Sequence, residues 1–178
     1  MKRSKWGVMA AVVVAVLLLA SAWTASARAV RTEVSGVEYD CFTGMEAMWQ
    51  EGNVLHLWGV GHTNLDFSDN PEVSGVNTTL ADAQINLQNG NVTIHGTSSW
   101  QPEGIAGTWE GSWNFIANRG IVRAQAVAQG TGALKGKTLF LDIYDVPPGE
   151  GDAAFCEGIG DYEGTVRFEG YILDNGAE

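Results

Sequence analysis

From Gly36 onward the apolar residues come in short alternating runs, each closed by Gly, Asn or Asp, and no long segment repeats at the helical period. A period of two sends successive side chains to opposite faces of a strand, so this pattern directs the chain to antiparallel β-structure. Eight runs are readable: Gly36–Thr43, Asn53–Asn64, Val73–Leu87, Asn91–Trp100, Ile105–Ala117, Ile121–Gln129, Lys137–Val146 and Gly164–Leu173. Glycine supplies most of the breaks, with 23 residues against four prolines. Gln88-Asn89-Gly90-Asn91 carries the Asn-Gly hairpin signal, and Asn118-Arg119-Gly120 marks a second turn. Met45–Gln50 reads as a single helical turn.

Alternation is clearest late in the chain. Trp109, Gly111, Trp113 and Phe115 share one face, and Thr108, Glu110, Ser112 and Asn114 the other. Val122, Ala124, Ala126 and Ala128 oppose Arg123, Gln125 and Gln129; Leu139, Leu141 and Ile143 oppose Asp142 and Tyr144. One dry and one wet face suit antiparallel strands around a core. Eight sequential strands with short turns predict an all-β, eight-stranded antiparallel up-and-down barrel, which leaves no exposed edge. A two-sheet β-sandwich is the alternative. The longest irregular stretch is Pro147–Tyr162.

The start of the chain carries an address. Lys2, Arg3 and Lys5 precede an apolar run from Gly7 to Ala20, and two small-residue cleavage sites follow, Ala25-Ser26-Ala27 and Ala27-Arg28-Ala29. That is the three-part pattern of a secretory signal peptide. The expectation is a signal peptide helix over residues 1–29, cleaved after Ala27 or Ala29, followed by a single domain over residues 30–178 that is secreted, periplasmic or at the cell surface. The rival reading is a retained anchor, since the apolar stretch approaches the length of a spanning helix. The leader has no Cys, which excludes a lipid-modified cysteine. No later stretch is apolar enough to span a membrane as a helix.

Cleavage removes Lys2, Arg3, Lys5 and Arg28 and no acid, leaving six basic and 21 acidic residues, a net charge of −15. Phosphate backbones and anionic membrane surfaces recruit Lys and Arg, so nucleic acid and anionic lipid are excluded as partners. The same charge keeps a secreted domain soluble. The two cysteines, Cys41 and Cys156, lack CxxC partners and His at ligand spacing. In an oxidising compartment such a pair is expected to form a disulfide. In a closed eight-strand meander it would staple the first strand to the loop before the last.

Candidate chemistries are few. Gly130-Thr131-Gly132-Ala133-Leu134-Lys135-Gly136-Lys137-Thr138 approaches a phosphate-binding loop but misses the first Gly by one position, and a strand-like run follows where a helix is needed. His56 and His62, six residues apart, read as lying on one strand face about 20 Å apart, too far to chelate one ion unless the strand bends. His56 with His95 across the sheet remains open. No Gly-x-Ser-x-Gly elbow is present. Glu110, Asp142 and Glu169 are either an acid–base set or solvated outer charges. The acidic loop Asp145–Glu163 suits oxygen-seeking Ca²⁺ in composition but lacks EF-hand spacing. No metal and no cofactor is expected. Asn77-Thr78-Thr79 and Asn91-Val92-Thr93 match the N-glycosylation triplet. Trp109 and Trp113 either fill the barrel or line a cavity, because eight strands enclose just enough room for side chains or one small ligand. Trp109, Trp113 and Trp58 are the candidate ligand-binding residues, and the small Gly111, Ala124, Ala126 and Ala128 favour space beside the rings.

The turn Gly130–Gly136 after an Ala-rich strand, with the block Gly107-Thr108-Trp109-Glu110-Gly111-Ser112-Trp113 before it, resembles the dirigent and allene oxide cyclase-like barrels and uncharacterised secreted bacterial proteins of that barrel type. The resemblance covers residues 104–136 and implies an eight-stranded barrel with an apolar cavity, often oligomeric. No catalytic residue of those enzymes matches a position here. Three functions follow as expectations: an exported barrel binding a small apolar molecule, a structural or envelope interaction protein with a filled barrel, or a cyclase- or isomerase-like enzyme.

Overall fold

The computed structural model describes residues 29–119, 121–147, 149 and 151–176. The leader expected over residues 1–29 lies outside them except for Ala29. The strands are β1 (Val30–Gly44), β2 (Ala47–Glu51), β3 (Val54–Ser68), β4 (Gly75–Asn86), β5 (Val92–Pro102), β6 (Trp109–Asn118), β7 (Ile121–Gly130), β8 (Lys137–Val146) and β9 (Asp161–Asp174). From β3 to β9 each pairs with its neighbours in sequence, and β1 pairs with both β3 and β9. β1 and β3–β9 therefore close an eight-stranded antiparallel up-and-down barrel, and the sandwich is set aside.

The helical turn expected over Met45–Gln50 is instead strand β2, which lies outside the ring and pairs with the first part of β3. Gly52, at φ 58, accepts the left-handed conformation that turns the chain back. The hairpin then gains cross-strand pairs, with Met48 opposite Leu57 and the Trp49 ring stacked on His56 at 4.9 Å.

The two ends of the barrel differ. At the end where β1 begins, the 3-10 turns Pro71–Val73 and Gly132–Leu134 tuck Val73 and Leu134 inward. There they join Val34, Trp109, Leu139, Phe168 and Ile172 in the hydrophobic core. Asn70 caps the first turn by accepting from the Glu72 N–H at 2.9 Å. Trp109 Nε1 donates to the Glu72 carbonyl at 2.6 Å, and Lys137 Nζ holds its carboxylate at 2.5 Å. The second turn runs directly into β8. The Gly130–Thr138 segment is thus a hairpin connection with no helix N-terminus to hold a phosphate.

Toward the other end the interior opens, because β7 offers only Ala124, Ala126 and Ala128 to it. On the outside, Cys41 of β1 is bonded to Cys156, which ends the 3-10 turn Asp152–Cys156 between β8 and β9. The bridge pins this segment to the barrel wall, where Phe155 stacks on Tyr39 at 4.1 Å. On β6–β9 the dry and wet faces fall as expected, with Glu110, Asn114, Arg123, Gln125, Asp142, Arg167 and Glu169 exposed. No helix among the described residues is long and apolar enough to cross a membrane.

Candidate functional site

The open half of the barrel holds a cavity of about 230 Å³. One wall is apolar. Trp113, Phe115, Ala126, Leu141 and Ile143 face it from β6, β7 and β8, and Trp100 closes it toward the core. Trp113 lies over Gly96, where an added Cβ would sit 2.5 Å from the indole nitrogen. Glycine on β5 thus makes the place for this ring.

The opposite wall inverts the usual pattern. β1, β3 and β4 turn polar residues inward, while Tyr39, Phe67 and Val76 face out. The register sets them in rows: Glu38 is opposite Asp66, Asp40 is opposite Asn64, and Asn64 is opposite Asn77 on β4. His62 is opposite Thr79 in the next row.

Two β-bulges aim this wall. Along β3, three steps from Leu57 to Val60 match two steps in β4, with Gly59 at φ 62 absorbing the extra residue. Every side chain past the bulge changes face. His56 therefore stays outside on Trp49, and His62 turns into the cavity. The expectation that the two histidines share one strand face is corrected by this glycine. On β9 the extra residue is Glu163, since Asp40 pairs with Gly164 and Cys41 with Tyr162. Glu163 Oε2 lies 2.8 Å from His62 Nε2 at the cavity mouth, beside Asp145.

Burial dominates the electrostatics of the polar wall. It pushes the Asp40 carboxyl up to about 9, with the Glu38 charge and its hydrogen bond raising it further and His62 opposing. It raises Asp66 to about 8, with a hydrogen bond from Glu38 opposing. Glu38 is held well above the carboxylate range, first by desolvation and then by Asp66. As carboxylates, Asp66 would have no donor for either oxygen. Asn77 Nδ2 donates to Glu38 Oε2 at 3.4 Å. Glu163 is lowered, first by its hydrogen bond with His62.

Several cavity-facing groups keep an unused hydrogen-bonding atom. Asn64, Asn77 and Thr79 each have a buried side-chain oxygen with no partner among the described protein atoms, and the Nε1 of Trp100 and of Trp113 have no acceptor. Buried polar atoms are ordinarily paired, so this concentration sets the cavity wall apart from the packed core. No group of three or more His, Cys, Asp or Glu among the described residues is arranged to hold a metal ion.

The candidate tryptophans part company. Trp113 lines the cavity, Trp109 is fully buried in the closed-end core, and Trp58 is half exposed on the outer side of the β2–β3 hairpin. Glu110, Asp142 and Glu169 are exposed on the outer face, where Glu110 accepts from Ser99 Oγ and Asp142 from Gln125 Nε2. His95 bonds Asn114 rather than His56. Asn77 points into the barrel, where no glycan fits. Glu38, Asp40, Asn64 and Asp66 carry the polar wall and were not singled out by the sequence reading. Their signal was the in-phase polar set at 38 and 40 on one run and at 62 and 64 on another, continued at 66 just past its end.

No protein-family model, no curated protein and no solved structure matches this chain. Of the resemblance to dirigent and allene oxide cyclase-like barrels, the structure shows the closed eight-stranded barrel, and no match supports the kinship itself.

Proposed function

We propose that this is an exported barrel that binds a small, largely apolar molecule in its open half. The observation that carries this is the cavity itself, closed at one end by a packed core and walled by Trp113, Ala126 and Leu141. About 230 Å³ is below the common range of roughly 300–1,000 Å³ for ligand pockets, which favours a compact ligand. Export is supported by the leader and by the Cys41–Cys156 disulfide. In this reading residues 1–29 are removed and residues 30–178 work as one domain. Trp113 and Trp100 contact the ligand, while Trp109 and Trp58 do not. Kinship with the dirigent and allene oxide cyclase-like barrels belongs to the same proposal, supported by the closed meander and the Gly130–Gly136 turn. Native mass spectrometry of protein taken from its own host's exported fraction tests the reading. A small adduct lost on denaturation is expected. A bare mass from every fraction turns the reading toward an interaction role.

One observation favours a second reading, an acid–base enzyme of the cyclase or isomerase kind. Asp40 and Asp66 hold their protons near neutral pH, and Asp40 faces the cavity. Raised carboxyls in a cleft are typical of proton-transfer sites. Enzymatic action would move deuterium from solvent into a bound ligand with an acidic C–H, and Asp40→Asn would stop it.

A further inference from the structure

We infer that the polar wall selects a ligand with a protonated amine head, which this cavity holds against Glu38, Asp40 and the amide oxygens of Asn64 and Asn77. This deepens the ligand-binding reading and rests on it.

The first observation is the charge of the lining. Glu38, Asp40, Asp145 and Glu163 face the cavity or its mouth, His62 is paired with Glu163, and none of the described lining residues is Lys or Arg. A buried carboxylate without a counter-charge is costly, and a cation brought by the ligand removes that cost. The second observation is independent of charge. Asn64 and Asn77 are 4% and 6% exposed, line the cavity, and each leaves its side-chain oxygen without a partner. These oxygens sit in the row that begins at Asp40. An ammonium group has three donors and no acceptor, and these two amide oxygens lack donors. The third is the wall opposite. Trp113 and Phe115 offer aromatic surface to the apolar body. A metal ion is the weaker occupant, since no three acidic or histidine side chains among the described residues are placed to ligate one.

The amine also fits the proton inventory. Asp40 carries its proton at neutral pH through its burial and Glu38, with His62 opposing and Glu163 adding to the rise. A cation beside it favours the ionised form, so binding must release protons and strengthen as pH rises toward 8.

Calorimetry on the protein with the disulfide intact tests this with three probes: 2-phenylethylamine, 2-phenylethanol and 3-phenylpropanoate. The amine is expected to bind at least tenfold tighter than the alcohol at pH 7.5, with the carboxylate weakest. Its affinity should rise between pH 6 and pH 8, with proton release seen as a dependence on buffer ionisation enthalpy. Asp40→Asn should remove the amine's advantage over the alcohol, both measured on that variant. If that variant does not fold, Glu38→Gln replaces it, and the probe series on the natural chain decides in either case. Alcohol binding as tight as amine binding overturns the amine head and leaves the cavity reading standing. Binding by none of the three overturns both.

Discussion

Asp40 gives the barrel a pH dependence whose sign follows from its burial. In the unfolded chain it loses its proton near 3.8, and in the barrel near 9. Below the first value both states are protonated and the contribution to stability is complete. Between the two values the folded state holds the extra proton, so stability falls as pH rises, and the contribution is lost above about 9. Asp66 adds the same trend up to about 8. Glu163 has the opposite sign, but it is half exposed at the mouth and solvent screens it. The denaturation midpoint in guanidinium is therefore expected to be higher at pH 5 than at pH 9. Asp40→Asn, which cannot ionise, should narrow that difference. An equal difference in natural chain and variant would show that Asp40 is not the group responsible. Gly96 supports a second prediction at this scale. Gly96→Ala places a methyl against the Trp113 indole, where overpacking costs about 1–3 kcal/mol. The ring is expected to swing into the cavity, giving a shifted tryptophan emission and lost binding of any ligand while the far-ultraviolet spectrum of the barrel persists.

At the scale of elements, the disulfide segment is the part of the wall not held by strand pairing. Removing the bridge in a Cys41→Ser, Cys156→Ser double variant frees a closure spanning 115 residues, for which loop entropy gives a loss of about 2–5 kcal/mol. Hydrogen exchange is expected to speed up first in residues 151–160, where Phe155 leaves Tyr39, and only later in β6–β8. Uniform acceleration would mean that the bridge holds the whole barrel rather than this segment. The same elements show what the sequence made legible. Strands β6–β9 were readable because one face meets core and the other meets water, so polarity reports orientation. The disulfide was legible from an isolated cysteine pair behind an export leader, and the neighbour relation of first and last strands followed from closure. β1, β3 and β4 were different. Their alternation was visible, but period two does not say which face is inside, and here Glu38, Asp40 and Asn64 face in while Tyr39 and Phe67 face out against Phe155 of the disulfide segment. The bulge at Gly59 was hidden for a related reason. One inserted residue changes the side of everything after it, and only the partner strand reveals the extra count. Strand β2 was misread because five exposed residues carry almost no burial signal.

At the scale of the whole molecule, the barrel is two structures joined end to end, and they should respond oppositely to added and removed volume. In the closed half, Leu134 and Trp109 are buried in one core cluster with Val73 and Phe168, away from the cavity. Leu134→Ala there deletes packed atoms and leaves a gap, at a cost of about 2–5 kcal/mol. In the open half, Ala126 faces Trp113 across the β6–β7 pair and borders the cavity. Ala126→Phe puts a ring into space that the protein leaves free, and filling a cavity commonly gains about 0.5–2 kcal/mol. The expected pair of results is a lower melting temperature for Leu134→Ala and an equal or higher one for Ala126→Phe. The second variant should also lose the mass adduct and all three phenyl probes. That combination, more stable and unable to bind, separates a cavity kept for a ligand from one that is a packing defect, because the barrel gives up stability to keep the space open. If Ala126→Phe is instead strongly destabilised, the space beside Ala126 is too small for a ring, and a ligand could occupy only the region next to the polar wall. The probes would then report the polar wall alone.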